Sequence, residues 1–274
     1  MTCAANPKSW RANRKSALRR AAFSLVEILV AVGLIGVIML ALVAMLNQTQ
    51  RAFRGSLAQV DVMETGRSLT DVIRAEALEI ANPGDPNNPH LVVASAVGAP
   101  GLRQWLPSGA RRDNVLQDFF FMVRRNSDQW QGIVYAVSNA AAGAGTLYRL
   151  ERTAHRTNLV KFAADLNGVL PGIPGNGWNL DTNFHRVADG VVHFQVHALD
   201  TNGYVIIDSS LPPPFVHELV DELPGALEIE LGVLEPKEWE KIKGRSAAES
   251  IQFLTNRAER VHLFRQTIPI RSRQ

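Results

Sequence analysis

A single carboxylate interrupts the longest apolar segment of the sequence. Between Phe23 and Leu46, Ser24 and Glu27 are the only residues with polar side chains. A carboxylate at the centre of a bilayer costs on the order of 2–3 kcal/mol, and less near the interface, so a buried one usually needs a cationic partner. Glu27 therefore predicts a specific ionic contact. The simpler alternative is an acid that reaches back to the membrane surface at the end of a signal anchor.

Two histidines are the next candidates for chemistry. His193 and His197 have the i, i+4 spacing of a zinc pair on a helix. Their neighbours alternate between apolar and polar residues, which predicts a strand, where residues four apart lie ~13 Å from each other at ~3.3 Å per residue. We therefore predict solvent-facing histidines and no metal site. The sequence lacks the usual signatures of serine hydrolases, phosphate-binding loops and zinc peptidases, so no catalytic residue is predicted.

Residues 82–88 and 181–189 are two oxygen-rich segments that predict loops. Calcium binds such ligands, but neither segment has the spacing of an EF-hand, and polar side chains are typical of loops in general. We expect no cofactor, with calcium at one of these loops as the alternative. The only cysteine, Cys3, lies near the N-terminus, so the rest of the chain can form neither an internal disulfide nor a thiolate metal site.

The positive charge of the chain is concentrated at its N-terminus. Residues 1–22 contain six of the 29 basic side chains and no acid, which leaves 23 basic and 26 acidic side chains in the remaining 252 residues. Nucleic acid is therefore not an expected partner. The apolar segment 23–46 would form a helix about 36 Å long, which is sufficient to span a bilayer. The positive-inside rule places residues 1–22 in the cytoplasm and the body on the other side of the membrane.

The residues around Glu27 form a specific pattern. Residues 19–31 read RRAAFSLVEILVA, which closely resembles the cleavage and methylation motif of type IV prepilins and type II secretion pseudopilins. The resemblance implies that a prepilin peptidase cuts between Ala22 and Phe23 and methylates the new amine of Phe23. It also implies that Glu27 guides filament assembly by pairing with that amine on a neighbouring subunit. Ala22 departs from the glycine that usually precedes the cut.

A continuous helix is predicted from the apolar segment to about residue 82, because no proline occurs between Pro7 and Pro83. Its second half is amphipathic, and Asn82-Pro83-Gly84 is a strong stop signal. Four apolar residues of this half fall on one side of the helix: Val62, Leu69, Ile73 and Ile80.

The remainder of the chain predicts short antiparallel strands. Residues 83–114 and 166–186 are predicted as loops, Gly143-Ala144-Gly145 as a hairpin turn and 236–243 as a short surface helix. The predicted strands are 119–124, 132–138, 146–151, 191–199, 204–208, 226–233 and 261–270. The expected fold class is α+β and pilin-like, with a long N-terminal helix followed by an antiparallel β-rich globular domain. The expected divisions are a basic leader at 1–22, a transmembrane and filament-core helix at 23–46, its amphipathic continuation at 47–82 and a periplasmic domain at 83–274.

Four short segments of the body are similar to the J-type minor pseudopilin of type II secretion: 147–152, 187–196, 223–229 and 267–271. In that family an Asp-Gly turn leads into an F-x-V strand, as Asp189-Gly190 leads into 194–196 here, and a Leu-Pro dipeptide like Leu223-Pro224 precedes a sheet strand. The chain is longer than expected for that subtype, so a lineage-specific prepilin-like protein is the alternative. Glu27 argues against the K-type tip subunit, which typically lacks this acid.

The resemblance implies a structural, non-catalytic function. After processing by prepilin peptidase, the chain would join other major and minor pseudopilins at or near the tip of a type II secretion pseudopilus, with secreted cargo as a further candidate partner. The implied location is the bacterial inner membrane, crossed once, with a cytoplasmic leader and a periplasmic body. Two alternatives stay open: a minor type IV pilin used in adhesion, motility or DNA uptake, and a membrane-anchored periplasmic enzyme.

Overall fold

The computed structural model describes residues 24–84, 89–96, 98–99, 101–159, 162, 184–207, 215–220 and 222–270. The chain divides into two compact units, one comprising Met1–Phe53 and the other Arg54–Gln274. Helix α1 extends from Leu25 to Ala77 and therefore contributes residues to both units.

In the first unit the described structure consists of the N-terminal part of α1. Every described residue of this unit is exposed, including the large apolar side chains between Leu25 and Leu46. By length and composition α1 can cross a membrane, and among the described residues it is the one helix that meets both criteria. This property is compatible with single-pass membrane anchoring.

The second unit is built on an antiparallel sheet. Nine strands of this sheet lie in the described residues: β1 (Leu91–Ser95), β4 (Gln117–Arg124), β5 (Gln129–Ser138), β6 (Gly145–His155), β7 (Phe184–Leu199), β8 (Val205–Ile207), β9 (Val216–Leu219), β10 (Ala226–Leu234) and β11 (Val261–Pro269). Strands β2 (Leu102–Trp105) and β3 (Arg111–Asn114) form a separate two-stranded hairpin. Two short helices, α2 (Pro236–Ile242) and α3 (Ala247–Thr255), precede β11.

The order of strands across the main sheet is β11-β10-β7-β6-β5-β4-β1-β9, and β8 pairs with β7 beside this path. Hairpins connect β4 to β5 and β5 to β6, whereas β9 returns from a distant part of the chain to pair with β1. In the middle of the sheet Phe121 lies opposite Ile133 and Tyr135 opposite Arg149. Successive side chains along a strand point to opposite faces of the sheet, so this register fixes which residues of neighbouring strands share a face.

The second half of α1 packs on one face of this sheet. The predicted stripe is confirmed for Val62, Leu69 and Ile73, which are at most 3% exposed. Ile80 is also buried, but it lies beyond the end of α1 and forms a β-bridge with Val123. All four join the largest core cluster together with apolar residues of the central strands. Gly66 provides the closest approach: a Cβ atom at this position would lie 2.1 Å from the ring of Phe264. Glycine therefore allows the helix backbone to contact a β11 side chain directly.

Two further clusters complete the core. One contains Val92, Phe120 and Met122, the neighbours in sequence of core residues on the opposite face, so the central strands are apolar on both faces. The other places Trp239 of α2 and Leu254 of α3 against the sheet and the β2–β3 hairpin. Helix α3 begins with a capping box, in which Ser246 and Glu249 exchange side chain to backbone hydrogen bonds.

The fold class is as predicted, with one long apolar N-terminal helix followed by an antiparallel β domain, and it is compatible with a pilin-like fold. The seven predicted strands and the surface helix at 236–243 are all present, and all but one lie within about four residues of their predicted bounds. The exception is β7, which begins at Phe184, seven residues before the predicted start at 191. The predicted hairpin turn at Gly143 is also confirmed, and its φ of 75° is a backbone conformation that favours glycine.

The prediction of a loop for residues 83–114 was wrong in part. Strand β1, strand β2 and strand β3 lie in this range, and β1 is completely buried between two strands of the sheet. Each of these strands is only four to five residues long, and the many turn residues around them led to the prediction of a loop for the whole range. The prediction for residues 166–186 falls mostly on residues 163–183, which lie outside the described residues, and Phe184 already belongs to β7.

Candidate assembly segment and polar clusters of the body

Of the three residues predicted to serve processing and assembly, Glu27 is described, whereas Ala22 and Phe23 lie outside the described residues. Ser24 caps the start of α1: its Oγ accepts a hydrogen bond from the backbone N–H of Glu27 at 3.2 Å. Glu27 therefore occupies the third position of the helix, where a carboxylate interacts favourably with the helix dipole. Helix geometry alone gives this residue a local role besides the predicted one.

The carboxylate of Glu27 is surrounded by apolar side chains on the helix surface. Val26, Ile28 and Leu29 are between 55% and 69% exposed. Within the described part of the chain, the carboxylate of Glu27 forms no hydrogen bond or ion pair. An ionised group in such apolar surroundings strongly favours a cationic partner once water is excluded.

Glu76 of α1 forms a charged cluster with Tyr135 and Arg149 of the sheet. Glu76 accepts hydrogen bonds from Arg149 (Nε at 2.9 Å and Nη2 at 2.6 Å) and from the hydroxyl of Tyr135 at 2.5 Å. Arg149 also binds Glu151 at 2.6 Å. The side chains of Glu76 and Arg149 are only 15% and 18% exposed, so removing either partner would leave a poorly solvated charge.

The cluster shifts the titration of both its donors. Burial raises the pKa of Tyr135, and the negative charge of Glu76 raises it further. Burial lowers the pKa of Arg149, but its hydrogen bonds to Glu76 and Glu151 outweigh this effect and raise it. Both groups therefore keep their protons at physiological pH. This arrangement stabilises the contact between helix and sheet.

The prediction that His193 faces solvent was wrong. Its residue is 4% exposed, and its Nδ1 accepts a hydrogen bond from the backbone N–H of Val115 at 3.0 Å. The proton of the neutral ring therefore lies on Nε2, which approaches Glu230 at 3.4 Å. The loop before β4 covers this face of β7, a contact that alternation along one strand cannot reveal. His197 is partly exposed.

Glu230 connects this histidine to the edge of the sheet. Arg265 donates a hydrogen bond from Nε to Glu230 at 2.6 Å. Hydrogen bonding from His193, together with the charge and hydrogen bonds of Arg265, lowers the pKa of Glu230 to about 2. The carboxylate is therefore ionised over the physiological range, and the group acts as a structural link between β7, β10 and β11.

The two oxygen-rich segments, where calcium was the alternative to the expected absence of a cofactor, are only partly described, because 85–88 and 181–183 lie outside the described residues. Asn82 accepts a hydrogen bond from the backbone N–H of Gly84 at 2.7 Å. Asp189 accepts one from Thr146 at 2.9 Å and forms an ion pair with Arg186. In the part of the chain that the structure describes, no group of three or more His, Cys, Asp or Glu side chains is placed to hold a metal ion.

Two of the described cavities of the second unit are lined in part by core residues, and a further one, of about 650 Å³, lies on the exposed side of α1 between Ser56 and Ser68. One of about 450 Å³ lies beside the end of α1 and is lined by residues that include Glu79, Arg124 and Trp130, with no His, Cys, Lys or Tyr in its described lining. The other, of about 210 Å³, lies between α1 and α2 beside Trp239. Neither described lining brings a nucleophile together with a histidine base, which is the arrangement that covalent catalysis most often uses.

The sequence analysis missed the cluster of Glu76, Tyr135 and Arg149. Glu76 follows Ile73 by three residues, so helical periodicity places it beside the buried stripe. An acid at that position indicates a cationic partner on the opposing surface. The partner itself could not be identified, because Arg149 lies 73 residues further along the chain.

No model of a known protein family matches the chain, and no curated protein matches it significantly.

Proposed function

We propose that this chain is a structural subunit of a membrane-anchored filament, a minor pseudopilin processed by prepilin peptidase and incorporated at or near the tip of a type II secretion pseudopilus. The observation that carries this proposal is the motif at 19–31, with a basic leader before it and a long apolar helix after it. A leader on its own would fit any anchored protein, but the motif combines a small residue before Phe23 with an acid at the fifth position after the cut.

The described structure supports the proposal in two respects. Helix α1 presents an apolar surface on all sides up to Leu46, as a segment surrounded by lipid or by other apolar helices requires. The second unit has its own core and places its polar clusters within the fold. In this function the apolar helix joins the filament, and the β domain is carried outside the membrane to contact other pseudopilins and secreted cargo.

The decisive experiment determines the N-terminus of the membrane-bound protein by mass spectrometry, in cells with and without prepilin peptidase. The expected mature chain begins with N-methylated Phe23 and is found only when the peptidase is present. An Ala22→Gly variant is the matched control, because it restores the usual residue before the cut and should be processed at least as completely. An intact Met1 terminus in both strains, or a cut beyond Leu46, would contradict the proposal.

A further inference from the structure

Two consecutive arginines at the end of β4, Arg124 and Arg125, have different surroundings. Arg125 forms an ion pair with Glu79 and donates a hydrogen bond to Gln131. Arg124 donates one hydrogen bond, from Nε to the backbone carbonyl of Asn126 at 3.3 Å. Its two terminal nitrogens have no partner among the described residues. The fold therefore uses the guanidinium of Arg125 and leaves most of the guanidinium of Arg124 available.

Arg124 lines the cavity of about 450 Å³ beside the end of α1. Ligand sites in proteins are typically clefts of roughly 300–1,000 Å³ with apolar walls and a few polar groups that fix orientation. The cavity has this composition, because Leu78, Trp130 and Leu223 contribute apolar surface to its described lining. A ligand at this position would meet a cationic group and an apolar surface together.

Trp130 adds a second hydrogen-bond donor without a partner. It lies directly opposite Arg124 in the register of β4 and β5, and side chains at opposite positions of antiparallel strands share one face of the sheet. Trp130 is 5% exposed, and within the described structure its Nε1 has no hydrogen-bond partner. A buried donor without a partner is unfavourable, so an acceptor supplied by a ligand would be stabilising.

The charges around the cavity favour a carboxylate as the ligand group. The charged side chains of the described lining are Arg124, Arg125 and Glu79. Because Arg125 is paired with Glu79, the unpaired charge is the single positive charge of Arg124. A guanidinium binds a carboxylate through two parallel N–H···O hydrogen bonds. A phosphate dianion would be repelled more strongly by Glu79 than a singly charged carboxylate.

We propose that this cavity binds a short acidic peptide segment of a partner protein. Arg124 holds the carboxylate of an aspartate or glutamate, and an adjoining apolar side chain of the segment packs against Leu78, Trp130 and Leu223. A peptide is favoured over a free carboxylic acid because the cavity is larger than a carboxylate and its apolar walls extend the contact surface. The inference concerns the second unit and does not depend on the proposed function.

Calorimetric titration of the full chain, purified in detergent, tests the site. The probe is a short peptide with blocked termini that carries one glutamate next to one leucine, and the control peptide has glutamine in place of glutamate. We expect the glutamate peptide to bind at least ~10-fold more tightly, because a neutral amide cannot form the charge-assisted pair with the guanidinium. Acetate and inorganic phosphate are the further probes, and both should bind more weakly than the peptide.

Variants at two arginines separate binding from folding. Arg124→Gln should reduce the affinity for the glutamate peptide to that for the glutamine peptide, and its melting temperature should not change, because the fold makes little use of this guanidinium. Arg103→Gln is the matched control: Arg103 is an exposed arginine of β2 that pairs with Asp113 outside the described lining of the cavity. It should retain full affinity. Arg124→Glu should reverse the preference and bind a lysine peptide more tightly than the glutamate peptide.

Each other outcome would overturn a specific part of the proposal. Full affinity of Arg124→Gln, or no reversal of preference in Arg124→Glu, would overturn the assignment of the carboxylate to Arg124. A lower melting temperature of Arg124→Gln would show that the fold itself uses this side chain. Acetate binding as tightly as the peptide would indicate a site for free carboxylates, and tighter binding of phosphate would overturn the carboxylate as the ligand group.

The result is independent of the test of the proposed function. An unprocessed Met1 terminus together with peptide binding would contradict the filament function and support this site. Processing to N-methylated Phe23 without any peptide binding would support the filament function and overturn the site.

Discussion

The two units of this chain bury their apolar residues in different ways. Between Leu25 and Leu46 the apolar side chains of α1 are exposed, whereas from Val62 onward the same helix buries a stripe against the sheet. In the second unit the protein supplies its own apolar surroundings. In the first, the described residues supply none, which is compatible with a membrane-spanning segment, because apolar surface of this extent is unfavourable in water. Changes in the first unit should therefore affect association, and changes in the second should affect folding.

Replacing Glu27 should have the largest effect, and only on association. Under the proposed function, in which Glu27 pairs with the amine of a neighbouring subunit, Glu27→Ala should lower incorporation into the filament by one to two orders of magnitude, because removing one partner of a buried ion pair costs roughly 3–5 kcal/mol at full burial and less when water has access. Membrane insertion, cleavage and the melting temperature of the body should not change. Incorporation is measured by pull-down with other pseudopilin subunits.

Two matched variants identify which property of Glu27 matters. Glu27→Gln keeps the hydrogen-bonding shape at the start of the helix but loses the charge, and should fail like Glu27→Ala. Ser24→Ala removes the cap, which is worth about 1 kcal/mol, but keeps the charge, and should assemble almost normally. If Glu27→Gln assembled normally and Ser24→Ala did not, assembly would depend on the Ser24 cap of α1 and not on the charge of Glu27.

Replacing a glycine of α1 by a bulky residue should lower the free energy of unfolding in the second unit but not in the first. Gly66→Leu forces a side chain into the ring of Phe264 and should destabilise the second unit by about 1–3 kcal/mol. At Gly36 no atom lies within 4 Å of the position that a Cβ would occupy, so Gly36→Leu should leave the unfolding of the body unchanged. Denaturant unfolding of the detergent-solubilised protein measures both. Equal stability of the two variants would contradict the close packing of α1 on β11.

Protonation of Glu230 at low pH should slightly lower the free energy of unfolding. The pKa of this carboxyl lies near 2 in the folded chain, below the ordinary value of 4.5, because it accepts from His193 and pairs with Arg265. The ionised form therefore stabilises the fold above pH 4.5, and this contribution is lost as the pH falls from 4.5 toward 2. The group is partly exposed, so we expect about 1 kcal/mol or less.

The matched variants for this effect are Glu230→Gln and Glu218→Gln, the second at an exposed position on β9. Glu230→Gln should flatten the dependence of the unfolding free energy on pH between 4.5 and 2, and Glu218→Gln should preserve it. A parallel pH profile for Glu230→Gln and the unmodified chain would show that this carboxylate contributes no stability.

Much of the secondary structure could be predicted because its determinants are local. The long apolar run and the absence of proline predict α1, although the helix ends at Ala77 rather than near 82. Alternating residues predict β10 and the second half of β7 correctly, whereas the start of β7 at Phe184 fell in a segment predicted as a loop. Strand β1 was missed because four apolar residues between turn signals have no period to detect, and β9 because its partner in the sheet lies more than a hundred residues away.

The same distinction between local and long-range determinants applies to the candidate site. Ala22, Phe23 and Glu27 were identified from a contiguous motif, and their roles in processing and assembly remain predictions. The cluster of Glu76, Tyr135 and Arg149 joins three distant parts of the chain, and periodicity could indicate only that Glu76 needs a partner.

The sequence by itself determined the properties that depend on neighbouring residues: a span long enough for a membrane, a charged N-terminus, an acid at a defined distance from Phe23 and the period of each strand. Only the tertiary structure decided which surfaces these elements cover. It buried His193 beneath the loop before β4, brought Gly66 against Phe264 and left the opposite side of α1, which includes Glu64 and Arg67, exposed. Burial depends on what the opposing surface supplies, and no local pattern records residues that are distant in the chain but adjacent in space.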